Sequence, residues 1–203
     1  MDGSSVRRYH HVSLVGQYLG IAYDHSSPDQ NRVHESDITR AIISITFSVM
    51  SLEAFANETA EDIFEGADLK AFFRLRGRFK QGEGSELVRK LAIIFSEKRF
   101  PPLDETMRQA IEAAVSLRNS LVHYKTADTA GISYLEPMRS IQGKDGSFMW
   151  GLDLTQKPLH IEHPFISRVT LEAAATSYNT AYDFAVTWCK LNNRGEPEGF
   201  KRL

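Results

Sequence analysis

Three residues in the middle of the chain carry side chains suited to the cleavage of a phosphodiester. Arg118, Asn119 and His123 fall within six consecutive positions. Metal-free RNA cleavage needs a base for the 2′-hydroxyl proton, a cation for the charged phosphate and an acid for the leaving 5′-oxygen. Histidine suits the proton transfers because its ordinary pKa is about 6.5, and arginine binds phosphate bidentately. We therefore expect His123 to transfer protons, Arg118 to bind phosphate, and Asn119 to hold either the imidazole or the phosphate.

These residues close a predicted helix over residues 104–125, for which Asp104 is the expected N-cap. Its apolar residues recur at alternating spacings of four and three, which is typical of a helix with one buried face: Met107, Ile111, Ala114 and Leu121. Arg118 occupies the missing position of that series. Because an unpaired buried charge costs several kcal/mol, the guanidinium needs a partner. His123 lies about 140° further around an ideal helix, so the spacing alone does not bring the two side chains together.

A long apolar helix precedes this one and supplies a candidate partner. It begins after Ser36, a predicted N-cap, and its apolar pattern continues to residue 63 and is wide enough for the centre of a helical bundle. Glu53 and Asn57 are four residues apart and share a face. If the two helices pack together, Glu53 pairs with Arg118 and orients it. The alternative is that Glu53 and Asn57 lie on a solvated stripe, and the sequence favours neither.

The pattern Arg118-Asn119 followed by His123, with the upstream segment SLEAFANE (Ser51–Glu58), resembles the signature of the HEPN superfamily. The resemblance covers about residues 36–125 and the closing helix. It implies an all-α fold and a metal-independent endoribonuclease that leaves a 2′,3′-cyclic phosphate. It also implies a homodimer in which the motifs of two protomers face each other. At the level of the family, the expected role is that of a bacterial toxin or phage-defence effector.

The implied partners are RNA, with tRNA and mRNA as candidate substrates, and an antitoxin or other regulatory protein. One departure concerns the toxins that a nucleotidyltransferase antitoxin modifies, which carry Tyr two residues after the His. Here Tyr124 follows His123 directly and position 125 is Lys. Two alternatives to catalysis are a HEPN-like module that binds RNA or a protein, and a structural dimer whose Arg118 and His123 only fix the interface.

Other basic residues are candidate phosphate contacts, namely Lys125, Arg74 and Arg78. The latter two belong to a basic stretch interleaved with Phe72, Phe73 and Phe79. Such a stretch could follow a phosphate backbone while its aromatic rings stack on bases. We favour the other interpretation, a basic outer face whose phenylalanine side chains belong to the core. For Lys125 we likewise favour the other interpretation, an exposed and solvated lysine.

The composition of the chain excludes several classes of protein and of binding site. A net charge of −2 predicts no general affinity for polyanions, so any RNA contact must be local. The single Cys189 excludes an intrachain disulfide and a cysteine zinc site, and the histidines of HIEH (160–163) suggest metal binding only weakly. We expect no metal and no cofactor. The sequence shows neither a signal peptide nor an apolar run long enough for a membrane span, which predicts a cytoplasmic protein without membrane contact.

The expected architecture is one domain over residues 1–203, an all-α HEPN-like helical bundle. A small β-hairpin insert over about 131–165, with its turn at 143–146, separates the motif helix from a final helix over about 167–192. Residues 67–80 read as one short helical stretch, and Ser85 is the expected N-cap of the helix that follows. Residues 193–203 read as a loose tail.

Overall fold

A computed structural model of the chain describes residues 13–26, 36–123, 132–134, 139–142, 144–151, 160–162 and 165–203. These residues are predominantly helical, as predicted. The α-helices among them are α1 (Leu14–Ser26), α2 (Asp37–Ile63), α3 (Gly66–Phe73), α4 (Glu86–Glu97), α5 (Glu105–Val122) and α6 (Leu171–Leu191). Short 3-10 turns at Gly77–Phe79 and Ile166–Arg168 precede α4 and α6.

The predicted N-caps are confirmed. The side chains of Ser36, Ser85 and Asp104 accept hydrogen bonds from backbone N–H groups in the first turns of α2, α4 and α5. The helical stretch expected over 67–80 is instead interrupted after α3. Leu75 adopts a left-handed conformation (φ 46°) and turns its side chain into the core, where it is 8% exposed. Burial of this leucine outweighs the cost of the unfavourable backbone conformation.

Helix α2 lies at the centre of the bundle and contacts α1, α3, α4, α5 and α6. Small residues let its neighbours approach closely, because alanines and serines alternate with larger apolar residues along its buried faces. The Ser44 hydroxyl donates to the Ala22 carbonyl oxygen of α1 at 3.0 Å, and Ser48 donates to the Ser44 carbonyl at 2.7 Å. Buried hydroxyls that find such partners do not destabilise a core.

Of the described helices, α2 alone is long and apolar enough to cross a membrane by length and composition. Over its most apolar 18 residues the mean hydropathy is 1.4, and half of that window is buried inside the protein. The sequence predicted no such segment, because serine and threonine interrupt each apolar run. Averaged over a full window, these residues lower the hydropathy too little to exclude it. The core helix of a soluble protein meets the same test.

Aromatic side chains fill the space between α2, α4 and α6. Their ring centroids lie 4.8–5.9 Å apart, in edge-on or tilted pairs, and the members are Phe55, Phe95, Phe100, Phe184 and Trp188. These geometries are the ones that aromatic pairs prefer. A smaller apolar cluster at the other end of α2 joins Ala41 and Ile45 to Phe165, Val169 and Ala174. Helix α5 packs on this smaller cluster through Leu117 and Leu121, and its Ile111, Ala114 and Val115 belong to the main core. These contacts hold α5 against α2 and so position the motif residues.

Between α5 and α6 the structure describes four short strands. Strand β2 (Arg139–Gln142) pairs antiparallel with β3 (Phe148–Gly151), and β1 (Ile132–Tyr134) pairs antiparallel with β4 (His160–Glu162). The sequence predicted a single hairpin followed by an irregular segment, so the second pairing was not anticipated. It joins strands too far apart in sequence for a local turn signal to indicate it.

The last residues of the chain return to α6 instead of forming the loose tail that the sequence predicted. The carboxamide of Asn179 accepts the Leu203 N–H at 2.8 Å and donates to the Leu203 carbonyl oxygen at 2.9 Å. Tyr178 donates to the Lys201 carbonyl oxygen at 2.9 Å, and Arg202 forms an ion pair with Asp183 at 3.1 Å. Helix α6 already ends at Leu191. Gly195 and Pro197 follow that end, and they do not prevent the last residues from binding back to the helix.

Candidate functional site

A cavity of about 340 Å³ lies between α2, the start of α4 and the end of α5. Its apolar floor consists of Ala56, Leu87 and Val115, all at least nine-tenths buried. Polar side chains from the three helices form its walls and rim: Glu53, Asn57, Ser85, Glu86, Lys90, Arg118 and Asn119. Four residues that the sequence singled out, Glu53, Asn57, Arg118 and Asn119, are therefore neighbours in space.

Arg118 and Glu53 form an ion pair in this cavity, in which Arg118 Nη2 donates to Glu53 Oε1. The Arg118 side chain is 19% exposed and that of Glu53 is 42% exposed. Arg118 occupies the apolar stripe of α5 beside the buried Ile111, Ala114 and Val115, as its spacing predicted. Glu53 neutralises the guanidinium, yet Arg118 Nε is buried and has no hydrogen-bond partner. Part of the hydrogen-bonding capacity of this guanidinium is thus unused.

Two carboxamides border the mouth of the cavity. Asn57 lies one turn after Glu53 on α2, and Asn119 follows Arg118 on α5; both side chains are exposed. In the part of the chain that the structure describes, neither carboxamide forms a hydrogen bond. Glu53 and Asn57 do share a face, and that face borders the cavity. Because each carboxamide keeps a free donor and a free acceptor, the rim can bind polar groups of either kind.

Lys90 also lines the cavity, and it was not among the site residues predicted from the sequence. Its side chain is 14% exposed, and Nζ lies 2.7 Å from Glu86 Oε1, one turn earlier on α4. The ammonium is also within 6.0 Å of the ring centroids of Phe72 and Phe73, at a distance suited to cation–π attraction. The Glu-to-Lys spacing of four was the available signal. This spacing predicts an ion pair that stabilises the helix, but it does not predict that the pair faces the cavity.

Glu112 supports the loop that leads into α4. Its Oε1 accepts the Ser85 N–H at 2.5 Å. A carboxylate on α5 therefore fixes Ser85, which is the N-cap of α4 and lines the cavity. Gly84 precedes this contact with φ +96°, and a Cβ there would overlap with Glu112 Oε1. A residue without a side chain is required for the loop to lie so close to α5.

His123 lies outside this cavity. It is the C-cap of α5, where its backbone N–H donates to the Asn119 carbonyl oxygen at 2.9 Å, and its side chain is exposed. The Asn119 side chain borders the cavity and does not hold the imidazole of its own chain. Within one chain the structure therefore assembles Arg118, Asn119, Glu53 and Asn57, and leaves His123 apart from them. The angular separation of positions 118 and 123 accounts for this result.

Of the remaining candidate phosphate contacts, Arg74 and Arg78 do not line the cavity. Lys125 and its neighbour Tyr124 lie outside the described residues. Arg74 is exposed. Arg78 is also exposed, but Asp68 at 3.1 Å and Glu97 at 2.8 Å already bind its guanidinium, which stacks 4.4 Å above the Phe79 ring.

The phenylalanines of the basic stretch belong mainly to the core. Phe72 is fully buried, Phe79 is 3% exposed and Phe73 packs partly buried against the same core. The preferred interpretation, a basic outer face with phenylalanines inside, is confirmed for Phe72 and Phe79. These rings are unavailable for stacking on nucleobases.

The cavity offers a guanidinium, an ammonium, two carboxylates and two carboxamides above an apolar floor. Across the described ranges, no group of three or more His, Cys, Asp or Glu side chains is placed to hold a metal ion. His163 lies outside those ranges. Comparisons of the chain with protein-family models, with curated proteins and with solved structures found no match.

Proposed function

We propose that the chain is a metal-independent endoribonuclease of HEPN type. The observation that carries this proposal is the position of Arg118, which lines a surface cavity and is held there by Glu53. Arg118 Nη2 contacts Glu53 and Nε is buried, so the N–H groups of Nη1 remain to bind phosphate oxygens. Asn119 borders the same cavity and can donate to the scissile phosphate.

The active unit that we infer is a homodimer, with the imidazole of one protomer beside the guanidinium of the other. Two features support it. His123 is exposed at the end of α5, outside the cavity of its own chain. Around that end of the bundle, three large apolar side chains face solvent: Val122 is 54% exposed, Ile38 44% and Ile42 39%. Exposed apolar groups of this kind favour contact with a partner surface.

In the proposed reaction His123 accepts the 2′-hydroxyl proton, and the 2′-oxygen attacks the adjacent phosphorus. The bond from phosphorus to the 5′-oxygen breaks, and a protonated imidazole gives its proton to the leaving oxygen. The products are a 2′,3′-cyclic phosphate and a 5′-hydroxyl. Arg118 stabilises the charge that develops on the phosphate. A positioned acid–base group contributes about 100- to 10,000-fold, and one well-placed electrostatic donor about 100- to 1,000-fold.

The biological setting belongs to the same proposal. A cytoplasmic enzyme acting on tRNA or mRNA would serve as a toxin or phage-defence effector under the control of an antitoxin or other regulatory protein. A net charge of −2 means that the whole surface does not attract RNA. Recognition must therefore depend on local contacts around the cavity.

The test is cleavage of total RNA and of tRNA by the purified chain in EDTA. Arg118→Ala and His123→Ala should each lower the rate by at least about 100-fold, because each removes one catalytic contribution. Arg194→Ala, at an exposed arginine of the C-terminal segment, is the matched control and should cleave like the wild type. Cleavage that persists in both site variants would overturn the assignment.

A second candidate function is a HEPN-like module that binds RNA or a protein without cleaving it. The position of His123 favours it, since among the residues with described side chains no imidazole lines the Arg118 cavity. Under this alternative the wild type shows no cleavage, and binding survives His123→Ala. If neither binding nor cleavage is found, Arg118 and His123 serve only to fix an interface.

A further inference from the structure

A second cavity lies on a different side of α4. We propose that it binds a small organic acid, a monocarboxylate with an apolar body. Its volume is about 520 Å³, within the range of about 300–1,000 Å³ typical of small-molecule sites. It lies between α4, the loop over residues 81–83, the segment over 100–103 and the first turn of α5. This inference does not depend on the proposed nuclease activity, since the Arg118 cavity uses other residues of α4.

The apolar part of the cavity suits a hydrocarbon chain or ring. Val88 is buried at its base, while Ile93, Phe100 and Leu103 line it and are only partly buried. These side chains belong to the edge of the main core, so they are held in place by the residues beneath them. An apolar ligand would cover surface that is otherwise left to water, which is favourable in proportion to the area covered.

Arg89 provides the charge that the ligand must match. Its Nε is buried and has no hydrogen-bond partner, and no carboxylate of the described residues lies within ion-pair distance of its guanidinium. Its stem is confined by the loop, because a Cβ at Gly82 would lie 3.3 Å from Arg89 Cγ. Because Arg89 lines the cavity, a ligand would reach the terminal N–H groups of its guanidinium and not the buried Nε. A carboxylate is the partner that such a guanidinium binds best.

The other arginine of the cavity is already occupied. Arg108 donates from Nε and Nη2 to the two carboxylate oxygens of Glu105, both at 2.8 Å. This contact lowers the pKa of the Glu105 carboxyl, as expected for a carboxylate that accepts charged hydrogen bonds. Arg89 is thus the guanidinium that remains available to a ligand.

The charges around the cavity select a monoanion. Arg89 and Arg108 are balanced by Glu83 and Glu105, which line the same space. A phosphate dianion would meet two carboxylates there, whereas a carboxylate brings one charge and pairs with the guanidinium bidentately. The apolar lining accounts for the rest of the molecule. An organic acid is therefore the chemical class that fits both parts of the cavity.

The test uses octanoate and octanamide, which share an apolar body and differ in charge. Isothermal titration of the full chain should show octanoate binding at least about tenfold more tightly than octanamide, a difference of about 1.4 kcal/mol. Arg89→Gln should remove that preference. Arg76→Gln, at an exposed arginine outside the cavity, is the matched control and should keep it.

A second variant keeps the test valid if Arg89→Gln fails to fold. Ala92 is an exposed helical position that lines the cavity, so Ala92→Trp should fill the space without disturbing the core. We expect this variant to lose binding of both compounds. The proposal is overturned if octanoate shows no saturable binding at concentrations up to about 10 mM. It is equally overturned if octanamide binds as tightly as octanoate, or if Ala92→Trp binds like the wild type.

Discussion

Arg118 of α5 and Glu53 of α2 are 65 residues apart in sequence and form an ion pair at the wall of a surface cavity. The ion pair has a physical effect on each of the two residues. The guanidinium lies on an otherwise apolar stripe and requires a counter-charge, and the carboxylate keeps it at the cavity instead of in bulk water. The same contact therefore stabilises the packing of two helices and orients the cation that we assign to the phosphate.

Glu53→Gln tests the orienting role. The amide oxygen still accepts a hydrogen bond, but the charge is lost, so Arg118 should be held less firmly. Because Glu53 is 42% exposed, the free energy of unfolding should fall by no more than about 1 kcal/mol. RNA cleavage should fall by about 10- to 100-fold, since small misplacements of a catalytic group are costly. Asp62→Asn, at an exposed position of the same helix, serves as control for both measurements.

A mixture of two inactive variants tests whether the site is shared between protomers. Arg118→Ala and His123→Ala, each inactive alone, should regain activity when co-expressed, because one site of each mixed dimer then has an intact arginine and an intact histidine. With random pairing, about a quarter of the wild-type rate is expected. A mixture as inactive as its components would place both groups of each site in one chain and contradict the shared site.

Gly84→Ala tests the support of α4 by Glu112. The residue has φ +96°, and an added Cβ would overlap with the carboxylate oxygen that accepts the Ser85 N–H. We expect the free energy of unfolding in urea to fall by about 1–3 kcal/mol. Gly77→Ala is the control, since Gly77 also has positive φ (+58°) but open space around it. If both variants lose the same stability, the contact with Glu112 contributes nothing.

Ionisation of Tyr178 should lower the free energy of unfolding at alkaline pH. Burial raises the pKa of its phenol, so the folded chain keeps this proton where the unfolded chain, with an ordinary pKa of about 10, loses it. The contribution to stability is complete below about pH 10 and declines as the pH rises further, because the folded state then binds more protons than the unfolded state. Tyr178→Phe should flatten this decline.

The pH profile separates titration from simple loss of a contact. At neutral pH, Tyr178→Phe should cost about 1 kcal/mol, because the bond to the Lys201 carbonyl oxygen is lost. Phe184→Leu, which perturbs the same core without removing a titratable group, should be destabilised at every pH and keep the wild-type slope. Urea unfolding between about pH 7 and about pH 11.5 provides the comparison. Parallel profiles for wild type and Tyr178→Phe would contradict the prediction.

The local features of the fold could be predicted from sequence because local spacing determines them. The N-caps at Ser36, Ser85 and Asp104 and the apolar period of α2 and α5 depend on neighbours within a turn or two. The sequence left two alternatives open for Glu53, a pair with Arg118 or a place on a solvated stripe, and the structure shows the pair.

Features that depend on tertiary contacts were not predictable. Lys90 was not predicted as a cavity residue, because nothing within α4 reveals that this position faces the space between α2 and α5. The break at Leu75 follows from the core that this residue fills, and the docked tail follows from the Asn179 carboxamide. Whether His123 meets Arg118 depends on how the surfaces of two protomers fit together. The apolar periodicity of one helix does not report on that.

The central position of α2 has a consequence for hydrogen exchange. The helix contacts five others, so its middle amides should exchange with deuterium only when the whole bundle unfolds. The backbone amides around Glu53 and Asn57 should therefore be protected from exchange until the whole protein unfolds. His123 caps the end of α5, and the amides there should exchange whenever the last turn of that helix frays. The two parts of the proposed catalytic centre therefore belong to cooperative units of different stability, and mild denaturant should loosen the imidazole of His123 long before the carboxylate of Glu53.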